Sequence, residues 1–527
     1  MAMSSGPLVA ARICAGDGWQ LDPAIIGCGP APKWMRLRVV TRRQGLGGGY
    51  DGRPFGIVRS VGGDVPVDYK GIYDEFVNLG KILAARGLAV TIVIIKPPYD
   101  TGAMGPFLAG VTAANPSISF HCLPTAEHPP VEDARVPNPP PANSAPARRF
   151  HCLPPAEHPP VEAARVSNPQ LVTSWPALRL PGHPGGGLLL VVDFLCSVAV
   201  DVATELGIPA YCFFTCCAET LAIFLYLPVL HAQSTATFRD MGEELVRVPG
   251  ISSFPAMHCF KPLMDRHDAV YRAFMRVAPY RCRSQGIIVN TFCSLEPRAA
   301  DAISVGLCTP PGLPTPPVYC IGPLIKAEEV GVKRGRECLA WLDTQPKASV
   351  VFLCFGSRSL FSANQTRELA IGLEASGKSR SDALLPEGFL ERTKSTGLIV
   401  KSWAPQRDVL AHDEVGAFVT HCGWNSVLET VMAGVPMLTW PLYAEQRVNI
   451  VFLEKELGLA VPVEGYDKEV VQADEVASKV SAGREQVLQR EWGWGSVRGG
   501  VKGHAPRRRP EARAGRDQRM ARVGVET

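Results

Sequence analysis

Ala417-Phe418-Val419-Thr420-His421-Cys422-Gly423-Trp424-Asn425-Ser426-Val427-Leu428-Glu429-Thr430-Val431-Met432-Ala433-Gly434-Val435-Pro436-Met437-Leu438-Thr439-Trp440 reads as one complete strand-turn-helix-strand passage. Ala417–Thr420 is short and apolar, which predicts a buried strand. His421–Asn425 is a tight turn around Gly423, Ser426–Ala433 has helical spacing, Gly434 is its C-terminal stop, and Val435–Trp440 predicts the next strand. Ser426-Val427-Leu428-Glu429 matches a capping box and places the predicted helix start at Ser426. A glycine-containing turn that feeds a helix N-terminus collects backbone N–H groups and the positive end of the helix dipole, a seat for a pyrophosphate. His421, Asn425 and Ser426 could add donors at the same end. The plain alternative is a βαβ turn with a well-capped helix, and the passage alone leaves both open.

Outward from this passage the same alternation continues. Val350–Phe355 predicts a strand, and strands alternate with helices from there to about Val480. Earlier in the chain, Phe76–Ala85 has helical spacing with Gly87 as a stop, and Leu88–Ile95 is a β-branched strand ended by Pro97-Pro98. Leu188–Phe194, Ala210–Phe214 and Gly286–Asn290 repeat the strand signal, and Val198–Leu206 reads as helix. Pro310–Pro317 and the charged stretch Lys326–Arg336 read as a connection. The expected fold is α/β: two Rossmann-like, doubly wound parallel-sheet domains, with ligands bound at the carboxyl ends of strands in a cleft between them. We place the domains at 76–325 and 326–480, with a poorly ordered leader at 1–75 and a basic, disordered tail at 481–527.

Bulk properties fit this division. A chain of 527 residues, 46% apolar, can bury two domain-sized cores. Between Ser481 and Thr527 there are eleven Lys/Arg against five Asp/Glu; that excess of six against a whole-chain charge of +4 leaves −2 for the body. A basic folded face for nucleic acid is therefore not expected. The 16 cysteines are mostly scattered singly, with no metal-ligand spacing, which suits a reducing compartment. Leu8-Val9-Ala10-Ala11 is too short for a secretory signal, and Ile208–Leu230, interrupted by Pro209, Glu219 and Pro228, reads as a buried strand and helix rather than a membrane span. We expect a cytoplasmic monomer without metal or cofactor. A segment beginning Phe120-His121-Cys122-Leu123-Pro124 recurs from Phe150 with a period of 30, covering 120–169; two Pro/His-rich copies read as a loop duplication rather than a solenoid or a metal site. A dinucleotide-binding dehydrogenase is excluded, because no G-x-G-x-x-G opens a helix after a strand with an acidic residue about 20 further on.

Trp403-Ala404-Pro405-Gln406, His421-Cys422-Gly423-Trp424-Asn425-Ser426, Glu429, Gly434-Val435-Pro436 and Glu445-Gln446 together span 44 residues. This pattern strongly resembles the signature box of plant secondary-metabolite UDP-glycosyltransferases. The resemblance extends less tightly over 76–480 and implies the GT-B fold. It implies that Trp403 stacks on the uracil, an indole face offering area at little entropic cost. Ala404 and Gln406 would hold the nucleoside, and Glu429 would accept from the ribose hydroxyls. His421, Asn425 and Ser426, with Ser357, would face the phosphates; Trp424, Glu445 and Gln446 would contact the sugar. Gln446 at the last box position points to glucose. The implied reaction is inverting transfer from UDP-glucose, a co-substrate, to a hydroxyl of a small lipophilic phenol such as a flavonoid.

The family uses a histidine base oriented by an aspartate. Asp193 stands where the aspartate is expected, but the histidine's place, in a turn before the first helix, holds Ile72. No histidine precedes His121. A positioned base contributes about 10²–10⁴ in rate, so the alternative expectation is a catalytically impaired nucleotide-sugar binding relative. Only Lys378–Ser381 stands where the second strand of the donor domain is expected, and that strand reads as missing.

Overall fold

The computed structural model describes residues 7–13, 53–60, 70–86, 88–95, 104–123, 171, 187–325, 336–356, 361–375, 397–401, 404–466, 468, 470–478 and 521–526. Contacts divide the chain into two units. The first comprises Met1–Met241, Pro262–Thr291 and Arg298–Lys326; the second comprises Gly242–Lys261, Phe292–Pro297 and Ala327–Thr527. The two short excursions of the first half into the second unit carry no sequence signal of their own.

The strands of the first half are β1 (Pro7–Ile13), β2 (Arg53–Ser60), β3 (Leu88–Ile95), β4 (Ile118–Cys122), β5 (Gly187–Asp193), β6 (Ala210–Phe214), the two-residue partners β7 (Leu245–Val246) and β8 (Phe254–Pro255), β9 (Gly286–Val289) and β10 (Val318–Cys320). All but β7 and β8 form one sheet, ordered β10-β9-β6-β5-β1-β2-β3-β4. Its helices include α1 (Lys70–Ala84), α2 (Met104–Ala114), α3 (Val200–Glu205), α4 (Ala218–Gln233), α5 (Ala269–Arg283) and α6 (Pro297–Ser304). Phe76, Leu79 and Leu83 recur at helical spacing on α1 and pack with Val90, Ile92 and Ile94 of β3. Val93, on the other face of β3, is also fully buried. Burial on both faces is why this strand reads as an unbroken apolar run.

Three expectations change here. Helix α1 begins at Lys70 rather than Phe76, so Ile72 lies within its first turn and not in a turn before it. The leader expected to be poorly ordered at 1–75 contributes β1 and β2 to the sheet. The sheet is also not wholly parallel, because β1 runs antiparallel to both β2 and β5. The first copy of the repeated segment supplies part of β4; the second copy lies outside the described residues.

The second unit carries β11 (Val350–Cys354), β12 (Gly397–Lys401), β13 (Val415–Thr420), β14 (Met437–Thr439), β15 (Ala460–Pro462) and β16 (Ala521–Glu526) in an all-parallel sheet ordered β12-β16-β11-β13-β14-β15. Its helices include α7 (Arg336–Leu342), α8 (Ala363–Ala375), α9 (Gln406–Leu410), α10 (Trp424–Ala433) and α11 (Gln446–Val451). Alternate residues of β11 face opposite cores: Val350 and Phe352 pack with Leu342, Val409 and Phe418, whereas Val351 and Leu353 pack with Val419, Leu438 and Trp440. The Phe352 and Phe418 rings stack with centroids 5.0 Å apart. The tail expected to be disordered therefore supplies a strand, β16. Both units are α/β with Rossmann-like sheets, the fold class read from the sequence. The strand and buried helix read in 208–230 are β6 and α4, and among the described residues no helix is long and apolar enough to cross a membrane.

Candidate functional site

β13 ends at Thr420, and the chain turns through His421 and Cys422 into α10. Cys422 takes a left-handed φ of +66°, a conformation that costs a non-glycine residue about 1–2 kcal/mol. The turn is held against that cost. The Cys422 N–H donates to Thr420 Oγ1 at 3.2 Å, and Asn449 Nδ2 donates to the Cys422 carbonyl at 2.9 Å. Helix α10 starts at Trp424 with Gly423 as its N-cap, and no side chain caps it. The capping box at Ser426 is thus not used as one. Glu429 lies in the second turn, where its Oε2 accepts from Gln406 Nε2 at 2.8 Å, and the same nitrogen donates to Ser426 Oγ at 3.0 Å. Gly434 closes the helix in the left-handed conformation at φ +71°, as its position predicted.

His421 is buried between two glycines. A Cβ on Gly356 would come within 2.6 Å of its Nε2, and one on Gly423 within 2.5 Å. Both glycines are therefore required by the close approach of the ring; Gly356 also has φ +76°. Burial pushes the imidazole down to about 4, with a hydrogen bond to the Cys354 backbone offsetting part of that. His421 is neutral at pH 7, and its Nδ1 is buried with no hydrogen-bond partner among the described residues. The same holds for Oδ1 of Asn425, one residue into α10. Buried polar atoms without partners cost about 1–3 kcal/mol each. Two of them at the N-terminus of one helix mark a place where a polar ligand would relieve that cost.

The remaining box residues divide by role. Ala404 is buried, and Pro405 after it is the N-cap residue of α9, which begins with Gln406. The Trp424 indole, in the first turn of α10, is buried beside Phe452 with ring centroids 6.3 Å apart. Gln446 is buried too; its Oε1 accepts from the Leu442 and Tyr443 N–H groups at 2.7 and 2.9 Å and shapes the turn before α11. Glu445 is the N-cap residue of α11. Trp403 and Ser357 lie outside the described residues. Among the described residues no cluster of three His, Cys, Asp or Glu side chains could hold a metal. Asn449 was not singled out by sequence; its signal is an amide in the otherwise apolar run Val448–Val451.

In the first unit, Asp193 ends β5 and is buried, with Oδ1 accepting from Leu195 N–H at 2.8 Å. It thereby caps the 3-10 helix Phe194–Ala199. Arg281 of α5 lies fully buried nearby, its guanidinium 5.3 Å from the Phe194 ring centroid and 5.6 Å from that of Phe224. Burial lowers Arg281 to about 10, and the charge of Asp193 is among the influences opposing that shift. Sequence reading missed Arg281. Its signal is a cation sharing a helix face with Phe274, Val277 and Ala278, all buried. Ile72 is placed only as a backbone position in α1.

Residues 330–467 match the family model described as UDP-glucoronosyl and UDP-glucosyl transferase. UDP-glycosyltransferase 88F3 of Pyrus communis is 45% identical over 322 residues, covering 55% of this chain and 67% of the relative. An anthocyanidin 5,3-O-glucosyltransferase from a Rosa hybrid cultivar is 36% identical over 458 residues, 80% of this chain and 90% of its own length. Among solved structures, UGT2 of Phytolacca americana complexed with UDP-2fluoro-glucose and pterostilbene aligns with a TM-score of 0.65 at 32% identity, over 81% of this chain and 92% of that one. The fold is therefore of the GT-B class.

Proposed function

The chain belongs to the UDP-glycosyltransferase family, and on that premise we propose that it transfers glucose from UDP-glucose to a hydroxyl of a small lipophilic phenol. The observation that carries the donor half of this reading is the N-terminus of α10, where His421 Nδ1 and Asn425 Oδ1 are buried without partners among the described residues. Rotating the Asn425 carboxamide by 180° presents its N–H₂ at the same place, where it can donate to an anionic oxygen, and the neutral His421, whose other ring nitrogen donates to the Cys354 backbone, offers Nδ1 as an acceptor for a hydroxyl. The diphosphate sits against this terminus, the ribose hydroxyls donate to Glu429 in place of Gln406, and Trp403 stacks on the uracil. The relative that acts on anthocyanidin and the neighbour holding pterostilbene support a phenolic acceptor.

In the proposed reaction the acceptor oxygen attacks the anomeric carbon from the face opposite UDP, so the anomeric centre inverts. The bond to the β-phosphate oxygen breaks as the new bond forms. The charge that develops on UDP is received by the helix dipole and its donors, with no metal assigned a role. The acceptor proton must leave, and Ile72 at the expected base position favours a second reading: a nucleotide-sugar binder with impaired turnover. Calorimetric titration with UDP-glucose, paired with UDP release over a panel of phenols, separates the two. Saturable binding with release supports transfer, and binding without release supports the second reading. Absence of binding removes both.

A further inference from the structure

β12 is an edge strand, and among the described strands its neighbour is β16 alone. β11 and β12 do not pair with each other. Between them runs residues 521–526, parallel to both, with Phe352 and Leu398 opposite Val523 and with Leu353 and Ile399 opposite Gly524. Adjacent strands lie about 4.8 Å apart, so β16 fills a slot one strand wide. It is an internal strand on which two ladders depend.

The strands on either side of it lead to the donor site. β11 ends at Cys354, whose backbone hydrogen-bonds His421, and continues to Gly356 against the same ring. β12 ends at Lys401 and leads to Gln406, which donates to Ser426 and Glu429. Without β16, the Gly356 turn would keep its place through the β11–β13 ladder, whereas Gln406, although α9 still packs Val409 against β11, would lose the paired strand that leads into it.

We propose that residues 521–526 are a positioning element of the nucleotide site, inserted from far along the chain as the internal strand that completes the donor sheet. The functional half of this proposal rests on the donor reading of α10. The strand arrives after the rest of the sheet in sequence, and its removal opens a slot that a matching peptide can refill by strand addition.

Hydrogen exchange and UDP calorimetry on the full chain test this. The amides of 397–401 and 521–526 are expected to be protected together. Deleting 521–526 should release 397–401 to fast exchange, leave 415–420 and 437–439 protected, and weaken UDP binding at least about tenfold. A peptide of residues 519–527 added in trans should restore both properties, and the same peptide carrying Val523→Pro should not, because proline removes a ladder donor. Fast exchange of 521–526 in the intact chain overturns the proposal even if the deletion variant fails to fold. Unchanged exchange of 397–401 together with unchanged UDP affinity after deletion also overturns it. If the intact chain does not bind UDP, the donor reading fails and with it the functional half, while exchange still decides the strand insertion.

Discussion

Gln406 Nε2 stands between Ser426 and Glu429, so a ribose reaching Glu429 must replace a bond that already exists. Hydrogen bonds to a charged carboxylate contribute about 1.5–3 kcal/mol, which corresponds to roughly 10- to 100-fold in affinity. Glu429→Ala should weaken UDP by about that factor in calorimetry; a change under about threefold would assign Glu429 to structure instead. His421 makes a separate prediction. Its native imidazole titrates at about 4, against about 6.5 in an unfolded chain. Above pH 6.5 it is neutral in both states and adds no pH dependence. As pH falls from 6.5 towards 4, the unfolded chain gains a proton that the native chain refuses, so stability drops. The loss is roughly 3 kcal/mol at most, at 1.36 kcal/mol per unit, and levels off below the native value. Urea unfolding at pH 7.5 and 4.5 should show a smaller pH effect in His421→Gln than in the parent chain. Equal sensitivity would place the burial of His421 in doubt.

At the level of elements, the two ends of α10 should respond differently to the same change. Gly434 is a left-handed C-cap at the other end of α10 from His421 and Asn425, and Gly434→Ala should cost about 1 kcal/mol of stability with UDP affinity unchanged. Gly423→Ala drives a Cβ to within 2.5 Å of His421 Nε2 and should lower both the melting temperature and UDP affinity, the latter at least about tenfold for one displaced hydrogen-bonding group. Thermal melts and titrations of the two variants give the comparison; equal effects on UDP would mean that the N-terminus of α10 is not the site. The same helix shows what could be read in advance. Gly434 was legible because its stop signal is local. The start was misplaced by two residues because Gly423 takes the cap position and Glu429 pairs with Gln406, 23 residues earlier. β3 and β6 were legible to their ends, being apolar runs that open close after a glycine or a proline. β1, β2 and β16 were not, because each is a short segment in Arg/Gly-rich sequence whose strand character comes from distant partners. Arg281 and Asn449 escaped for the same reason: their roles are set by tertiary neighbours.

Across the whole molecule, the proposed chemistry is partitioned. The donor residues belong to the second unit, and Asp193 and Ile72 belong to the first. Substitutions in the first unit should therefore move turnover and leave UDP affinity alone. With Ile72 at the expected base position, the second reading has the acceptor ionise unaided, so on that reading the parent chain should act on acidic phenols, with a rate that rises as pH passes through the phenol's own ionisation. Ile72→His supplies the imidazole that the family places near this position. A positioned base contributes about 10²–10⁴ in rate, and the gain should be largest for the least acidic phenols, because they ionise least by themselves. The pH–rate profile should also change form, from one that follows the phenol to one that levels off above the imidazole's titration near neutrality. Turnover of a graded phenol panel by parent and variant, with UDP titrations of both, measures this. A variant no faster than the parent would mean that a residue in the first turn of α1 cannot reach the acceptor, and the base would have to be sought on another element. A variant that is faster only because UDP binds more tightly would overturn the partition itself.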